Sequence, residues 1–105
     1  MQYASTRGHA TAQNFLEILL AGLAPDGGLY LPQSYPQVTA DELNAWRSLS
    51  YAELAFEVLR KFATDIPDAD LKVLVDKTYT AEVYRNARAG EDASQITPLR
   101  TLEDK

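Results

Sequence analysis

The sequence predicts an α+β fold: a small, helix-dominated domain of about four helices with a small two- or three-stranded sheet. Three observations predict it. Apolar residues recur at helical spacing in separate segments, most cleanly at Tyr51, Leu54, Ala55, Val58, Leu59 and Phe62. Two hydroxyl-x-x-Glu capping boxes, Thr39–Glu42 and Ser50–Glu53, mark helix starts, because the hydroxyl accepts the third amide while the Glu reaches back to the cap amide. The extended signals are few and short, lying near residues 2–6 and 28–31 and bounded by Gly8, Gly27-Gly28 and Pro32. At 105 residues the chain suits one domain; such a chain buries roughly 65% of its unfolded surface, enough for a modest core.

Each element has a local cause. Tyr3 and Ser5-Thr6 have fair strand propensity, and Gly8 ends that segment. Thr11 reads as the N-cap of a helix near 12–21, with Phe15, Ile18, Leu19 and Leu23 on one face and Leu16 and Leu20 widening the stripe. Gly22 supplies the positive φ that stops that helix. Pro25-Asp26-Gly27 is a tight turn: Pro fixes φ, Asp bonds backbone amides and Gly takes the strained position. Leu29-Tyr30-Leu31 reads as a strand whose ladder Pro32 ends. Thr39 opens a short helix carrying Leu43 and Trp46, and Ser50 opens the longest one. A fourth helix starts near Pro67-Asp68, with Pro in the first turn, and runs towards Tyr84. Residues 85–95 lose the apolar periodicity and read as a loop or linker, after which Ile96-Thr97-Pro98-Leu99 begins another element. The expected organisation is thus a domain over 1–84 and a linker leading into a further domain over 85–105.

Composition narrows the function classes. Ten basic and 15 acidic residues give a formal charge of −5, which argues against nucleic acid as the partner, since phosphate neutralisation needs clustered Lys and Arg. An acidic surface also repels anionic lipid, and no apolar run is long enough to span a bilayer. Cysteine is absent, which removes disulfides, thiolate metal sites and cysteine catalysis. That usage, with no basic and apolar leader pattern, fits a cytoplasmic protein.

Few residues suggest chemistry. His9 is the single histidine and stands beside Gly8, with no nucleophile or orienting partner in view, so it reads as a solvated loop residue rather than a general base. Asp65, Asp68 and Asp70 lack the spacing of a calcium loop and read as helix-start acids complementing the macrodipole, so no metal site is expected. Gly27-Gly28 is not a phosphate loop, because the glycine spacing is wrong and a strand follows. Lys61, Lys72 and Lys77 fall off the apolar stripes and Lys105 is terminal, so none resembles a Schiff-base lysine. Tyr51, Tyr79, Trp46 and Phe62 sit at helical spacing and read as core. Ser5-Thr6-Arg7-Gly8 has two readings. Two hydroxyls and a guanidinium beside a flexible glycine suit a phosphate group, since Arg engages phosphate bidentately. Equally, the segment is a strand end in which Arg7 pairs an acid and Gly8 turns the chain.

The pairing of Tyr3-Ala4-Ser5-Thr6-Arg7-Gly8 with Leu19-Leu20-Ala21-Gly22-Leu23 and Asp26-Gly27-Gly28-Leu29-Tyr30-Leu31-Pro32 resembles the start of threonine synthase, and the likeness continues more loosely through the Ser50-Tyr51 helix and the Ile66-Pro67 helix start. That family depends on pyridoxal 5'-phosphate (PLP) and converts O-phospho-L-homoserine and water to L-threonine and phosphate. The resemblance implies a small helical domain preceding the PLP-binding domains, a phosphorylated amino-acid substrate, and Ser5, Thr6 and Arg7 as substrate-binding candidates. It also implies a PLP lysine downstream in a Phe-Lys-Asp context and later phosphate-binding loops. Neither occurs in this sequence. The chain by itself is therefore expected to bind no PLP, to hold no catalytic residue and to be inactive, with its unpartnered apolar segments free to self-associate. A threonine synthase-like phospholyase and a freestanding, non-catalytic helical interaction module are the alternatives.

Overall fold

The computed structural model describes residues 1–85, 92, 95–99 and 101–102. The elements follow the order β1 (Tyr3–Ser5), α1 (Phe15–Ala21), β2 (Tyr30–Pro32), α2 (Ala40–Trp46), α3 (Tyr51–Phe62) and α4 (Asp68–Thr78). The described residues form a small α+β domain, four helices with one two-stranded antiparallel sheet, in which Tyr3 pairs with Pro32, Ala4 with Leu31 and Ser5 with Tyr30.

The core is small, and Tyr3 ties its parts together. Alternation along β1 turns Tyr3 and Ser5 to the buried face. The Tyr3 ring lies 6.0 Å from that of Phe15 on α1, and its hydroxyl donates to the Phe62 carbonyl at the end of α3, 2.6 Å away. Leu71 and Val75, one helical turn apart on α4, are buried, as are Ala63 and Ala24. Arg60 joins α3 to the start of α4 through Asp68 at 3.0 Å. At the opposite end Tyr79 sits 5.5 Å from Tyr51 and 5.6 Å from Tyr84.

Several boundaries differ from the sequence reading, each for a local reason. Helix α1 starts at Phe15 with Asn14 as its cap, not near residue 12 with Thr11. Gln13 exchanges both main-chain hydrogen bonds with Tyr3, which holds it extended and delays the helix. Asn14 and Glu17 then form the capping box. The Leu16 amide finds a partner 49 residues away, Asp65 Oδ2 at 2.9 Å. Thr39 caps α2 as expected, but the reciprocal half of its box is missing because the Glu42 carboxylate turns to Lys61, 2.8 Å away. Ser50 and Glu53 form both halves at α3. Pro67 occupies the N-cap of α4 rather than its first turn. That helix ends at Thr78, because Tyr79 leaves helical geometry at φ −93 and ψ 71. Strand β2 lies one residue later than expected, since the Leu29 amide bonds the Thr6 side chain, so that only half of the next ladder pair, Thr6 amide to Leu29 carbonyl, is made. Of the linker expected over 85–95, residues 86–91, 93 and 94 lie outside those described. Leu99 and Leu102 beyond it are fully exposed.

Candidate functional site

The two motif segments of the sequence meet in space. Gly8, at φ +75, bends the chain after β1, and Gly27, at φ +83, closes the turn before β2, so Ser5-Thr6-Arg7 lies against Asp26-Gly27-Gly28-Leu29. The Ala24 amide donates to the Gly28 carbonyl and the Gly27 amide to the Ala24 carbonyl, which makes the turn tight. A Cβ at Gly28 would collide with Ser5 Oγ and lie 2.9 Å from Thr6 Oγ1, so glycine there is a condition of the close approach.

Asp26 is the hub. Ser5 Oγ donates to its carboxylate, with both oxygens within 2.8 Å, and the Gly28 and His9 amides donate to the same group at 2.9 and 3.0 Å. The Ser5 hydrogen bond first, and then the Gly28 and His9 amides, hold the Asp26 carboxyl below its ordinary range. The Ser5 oxygen also accepts the Arg7 amide at 3.2 Å. Thr6 exchanges two bonds with Leu29: its amide donates to the Leu29 carbonyl at 2.8 Å, and its Oγ1 accepts the Leu29 amide at 3.0 Å.

Ser5, Thr6 and Arg7 are therefore together, in different states. Ser5 is buried and Thr6 is exposed, but the hydrogen bonds of both hydroxyls run to the adjoining turn. Arg7 is exposed and donates from Nη1 to the Asp26 carbonyl at 2.9 Å, so its partner is a main-chain oxygen rather than an acid. Among the described residues no carboxylate pairs with it. Its guanidinium is aimed but not neutralised, which leaves donors for a phosphate or carboxylate. His9 contributes its amide to Asp26. Asp65 and Asp68 do separate work, at the start of α1 and on Arg60, and no metal-holding group of His, Cys, Asp or Glu occurs among the described residues. Sequence reasoning missed Asp26 as the centre of the site. The available signal was an Asp whose turn follows one strand candidate and precedes another.

A cleft and an apolar groove lie elsewhere. The cleft, of about 360 Å³ between α2 and α3, is lined by Glu42, Trp46, Glu57, Arg60 and Lys61, whose charges are paired with one another or with Asp68. The apolar groove, of about 340 Å³, is lined by Phe15, Leu19, Leu59, Leu71, Leu74 and Tyr79 among others.

A family model described as threonine synthase N terminus matches residues 2–79. The chain belongs to the threonine synthase N-terminal family. It is 58% identical over 104 residues to the threonine synthase of Methylobacillus glycogenes, covering 99% of this chain and 22% of that protein. It is 54% identical over 103 residues to the Pseudomonas aeruginosa threonine synthase, covering 97% and 20%. A crystal structure of PLP-bound threonine synthase from Brucella melitensis superposes with a TM-score of 0.80 at 43% identity, covering 99% of this chain and 21% of that one. The chain thus spans about a fifth of the length of the threonine synthases it matches.

The lysines described here do not fit a PLP Schiff base, which needs a desolvated amine kept neutral by its surroundings. Lys61 is held by Glu42, Lys72 is paired with Asp76 at 3.0 Å and is half-exposed, and Lys77 is exposed. No helix among the described residues is long and apolar enough to cross a membrane.

Proposed function

We propose that this chain is the N-terminal region of a PLP-dependent threonine synthase, a cytoplasmic carbon–oxygen lyase that converts O-phospho-L-homoserine and water to L-threonine and phosphate. The identity of 58% across nearly the whole chain is the observation that carries this reading. The PLP lysine and the main phosphate-binding loops then belong to parts of the enzyme outside these residues, and the boundary of the present domain falls near Tyr84. Activity of the chain by itself is not expected.

Within that enzyme the segment Ser5-Thr6-Arg7 borders the substrate site. Ser5 and Thr6 fix the main chain against the Asp26 turn, and Arg7 offers its guanidinium to the substrate's phosphate or carboxylate. The role of this domain is to orient that charge rather than to move protons.

The test is an assay of the full-length protein carrying this N-terminus, with O-phospho-L-homoserine and PLP. Equimolar threonine and phosphate are expected. Phosphate released with a keto acid and ammonia instead of threonine would assign a threonine synthase-like phospholyase. No phosphate release by folded, PLP-loaded protein would overturn the reading.

A further inference from the structure

Helix α1 and the turn after it expose an apolar surface that nothing else described covers. Leu16 is 42% exposed, Leu19 63%, Leu20 90% and Leu23 63%. Single exposed leucines are ordinary, but a run of them in one place marks an interaction surface. Leu16 and Leu20, four residues apart, share one helical face, and from Ile18 to Pro25 the chain carries no charged side chain. No residue of α1 is buried, although the helix has both its Asn14–Glu17 box and the Asp65 bond at its start. Seven residues are too few to be stable as an isolated helix, so the sequence has specified the ends of a helix whose apolar sides are largely unfilled.

We propose that the helix face formed by Leu16 and Leu20 is an interdomain interface, covered in the whole enzyme by its catalytic body. This rests on the reading of the chain as part of a threonine synthase. In the matched threonine synthases about four-fifths of the polypeptide lies outside the stretch aligned here, since this chain spans 22% and 21% of two of them. That body is the occupant for two reasons. It is tethered, and a tethered partner acts at an effective concentration on the order of millimolar, which a second copy in dilute solution does not match. It also need not carry charge where the face has none, whereas an anionic membrane would meet a chain of formal charge −5. The exposed Leu99 and Leu102 lie on the stretch that leads out of the domain, so apolar surface is also waiting at its exit.

The experiment uses the full-length enzyme with Leu20→Cys, and Asn44→Cys at an exposed position of α2 as control, each labelled by a maleimide under native conditions and mapped by peptide mass. The thiol at position 20 is expected to react about tenfold or more slowly than that at position 44, at every protein concentration. Equal rates would overturn the proposal. Protection that appears only as protein concentration rises would also overturn it, and would assign the face to a second copy. Hydrogen exchange of residues 15–23 in the unsubstituted full-length enzyme supplies a readout free of any substitution: slow exchange is expected, and exchange as fast as that of the surface turn at 81–83 would count against the interface. Phosphate release is assayed on the same samples, so protection without activity would sink the functional reading and leave the interface standing.

Discussion

The guanidinium of Arg7 lies against the main chain of Gly27, where a Cβ would stand 2.6 Å from Nη1 and 3.3 Å from Cζ. Glycine at 27 therefore does two things: it permits φ +83, and it leaves the space in which Arg7 reaches the Asp26 carbonyl. If Arg7 meets the substrate, Gly27 should act through it. Arg7→Ala in the full-length enzyme is expected to lower kcat/KM roughly ten- to a hundredfold, from loss of about 1.5–3 kcal/mol of charge-assisted hydrogen bonding. Gly27→Ala should raise KM, and in the Arg7→Ala background that added effect should vanish. Additive effects in this double-mutant cycle would separate the two residues. Unchanged kinetics in Arg7→Ala with lowered thermal stability would confine Arg7 to a structural role.

Ser5 is buried, and its hydroxyl serves Asp26 and the Arg7 amide together. Ser5→Ala removes both contacts while leaving the amide and carboxylate in place. The expected effect is a loss of stability, because the hydroxyl satisfies both groups from a buried position, with solvent able to replace part of it at Asp26. Urea denaturation should show a lower midpoint with an unchanged slope. A midpoint within error of the parent would mean that solvent replaces the hydroxyl without cost.

Acid stability should report Asp26. Its folded-state pKa lies below the ordinary 3.8, chiefly through the Ser5 hydrogen bond and then the Gly28 amide. A depressed carboxyl contributes stability that is fully present above the unfolded pKa and is lost as pH falls through the folded one. Thermal melts of the parent should therefore fall off below about pH 4, as the carboxylates protonate. Asp26→Asn should be less stable at neutral pH and should lose less on acidification. Parallel pH profiles for the two proteins would show that Asp26 gains nothing from its charge in the fold.

How far the sequence revealed all this depended on the range of the interaction. Ser50 and Glu53 lie within one turn of each other, and their capping box formed as expected. The box at Thr39 formed by half, because Lys61, on another helix, competes for the same Glu42 carboxylate. The start of α1 was misplaced because Thr11 is a good cap by type, while the pairing of Gln13 with Tyr3 is a tertiary fact that no local pattern contains. Asp65 read as a helix-start acid for α4, yet it serves the start of α1. At the candidate site, residue types pointed to Ser5, Thr6 and Arg7, and the Asp26 turn was recognised as a turn. That the two are one unit depends on a close approach across 21 residues between Ser5 and Asp26, which spacing does not encode. The burial of Tyr3 was equally invisible, since a tyrosine near a chain start is as consistent with an edge as with a core.

That burial gives a last prediction. Tyr3 joins the sheet to α3 through a 2.6 Å hydrogen bond to the Phe62 carbonyl, a group left unpaired by the end of its helix. Tyr3→Phe keeps the ring against Phe15 and removes only the donor, so the expected cost is about 0.5–1.5 kcal/mol at neutral pH. The phenol pKa is raised above its ordinary 10.0, first by burial and second by the Asp65 charge. For an acid that is neutral when folded, a raised pKa means stability present below the unfolded pKa and lost as pH rises towards the folded one, because the unfolded chain gives up the proton first. The parent should accordingly lose stability above about pH 10, the ordinary tyrosine pKa. Tyr3→Phe should lose less, with Tyr79, also raised by burial, supplying part of the remaining fall. Urea midpoints for both proteins at pH 7 and pH 10.5 decide it. If the gap between them stays the same at both values, the Tyr3 hydroxyl is not desolvated in solution and does not hold β1 to the end of α3.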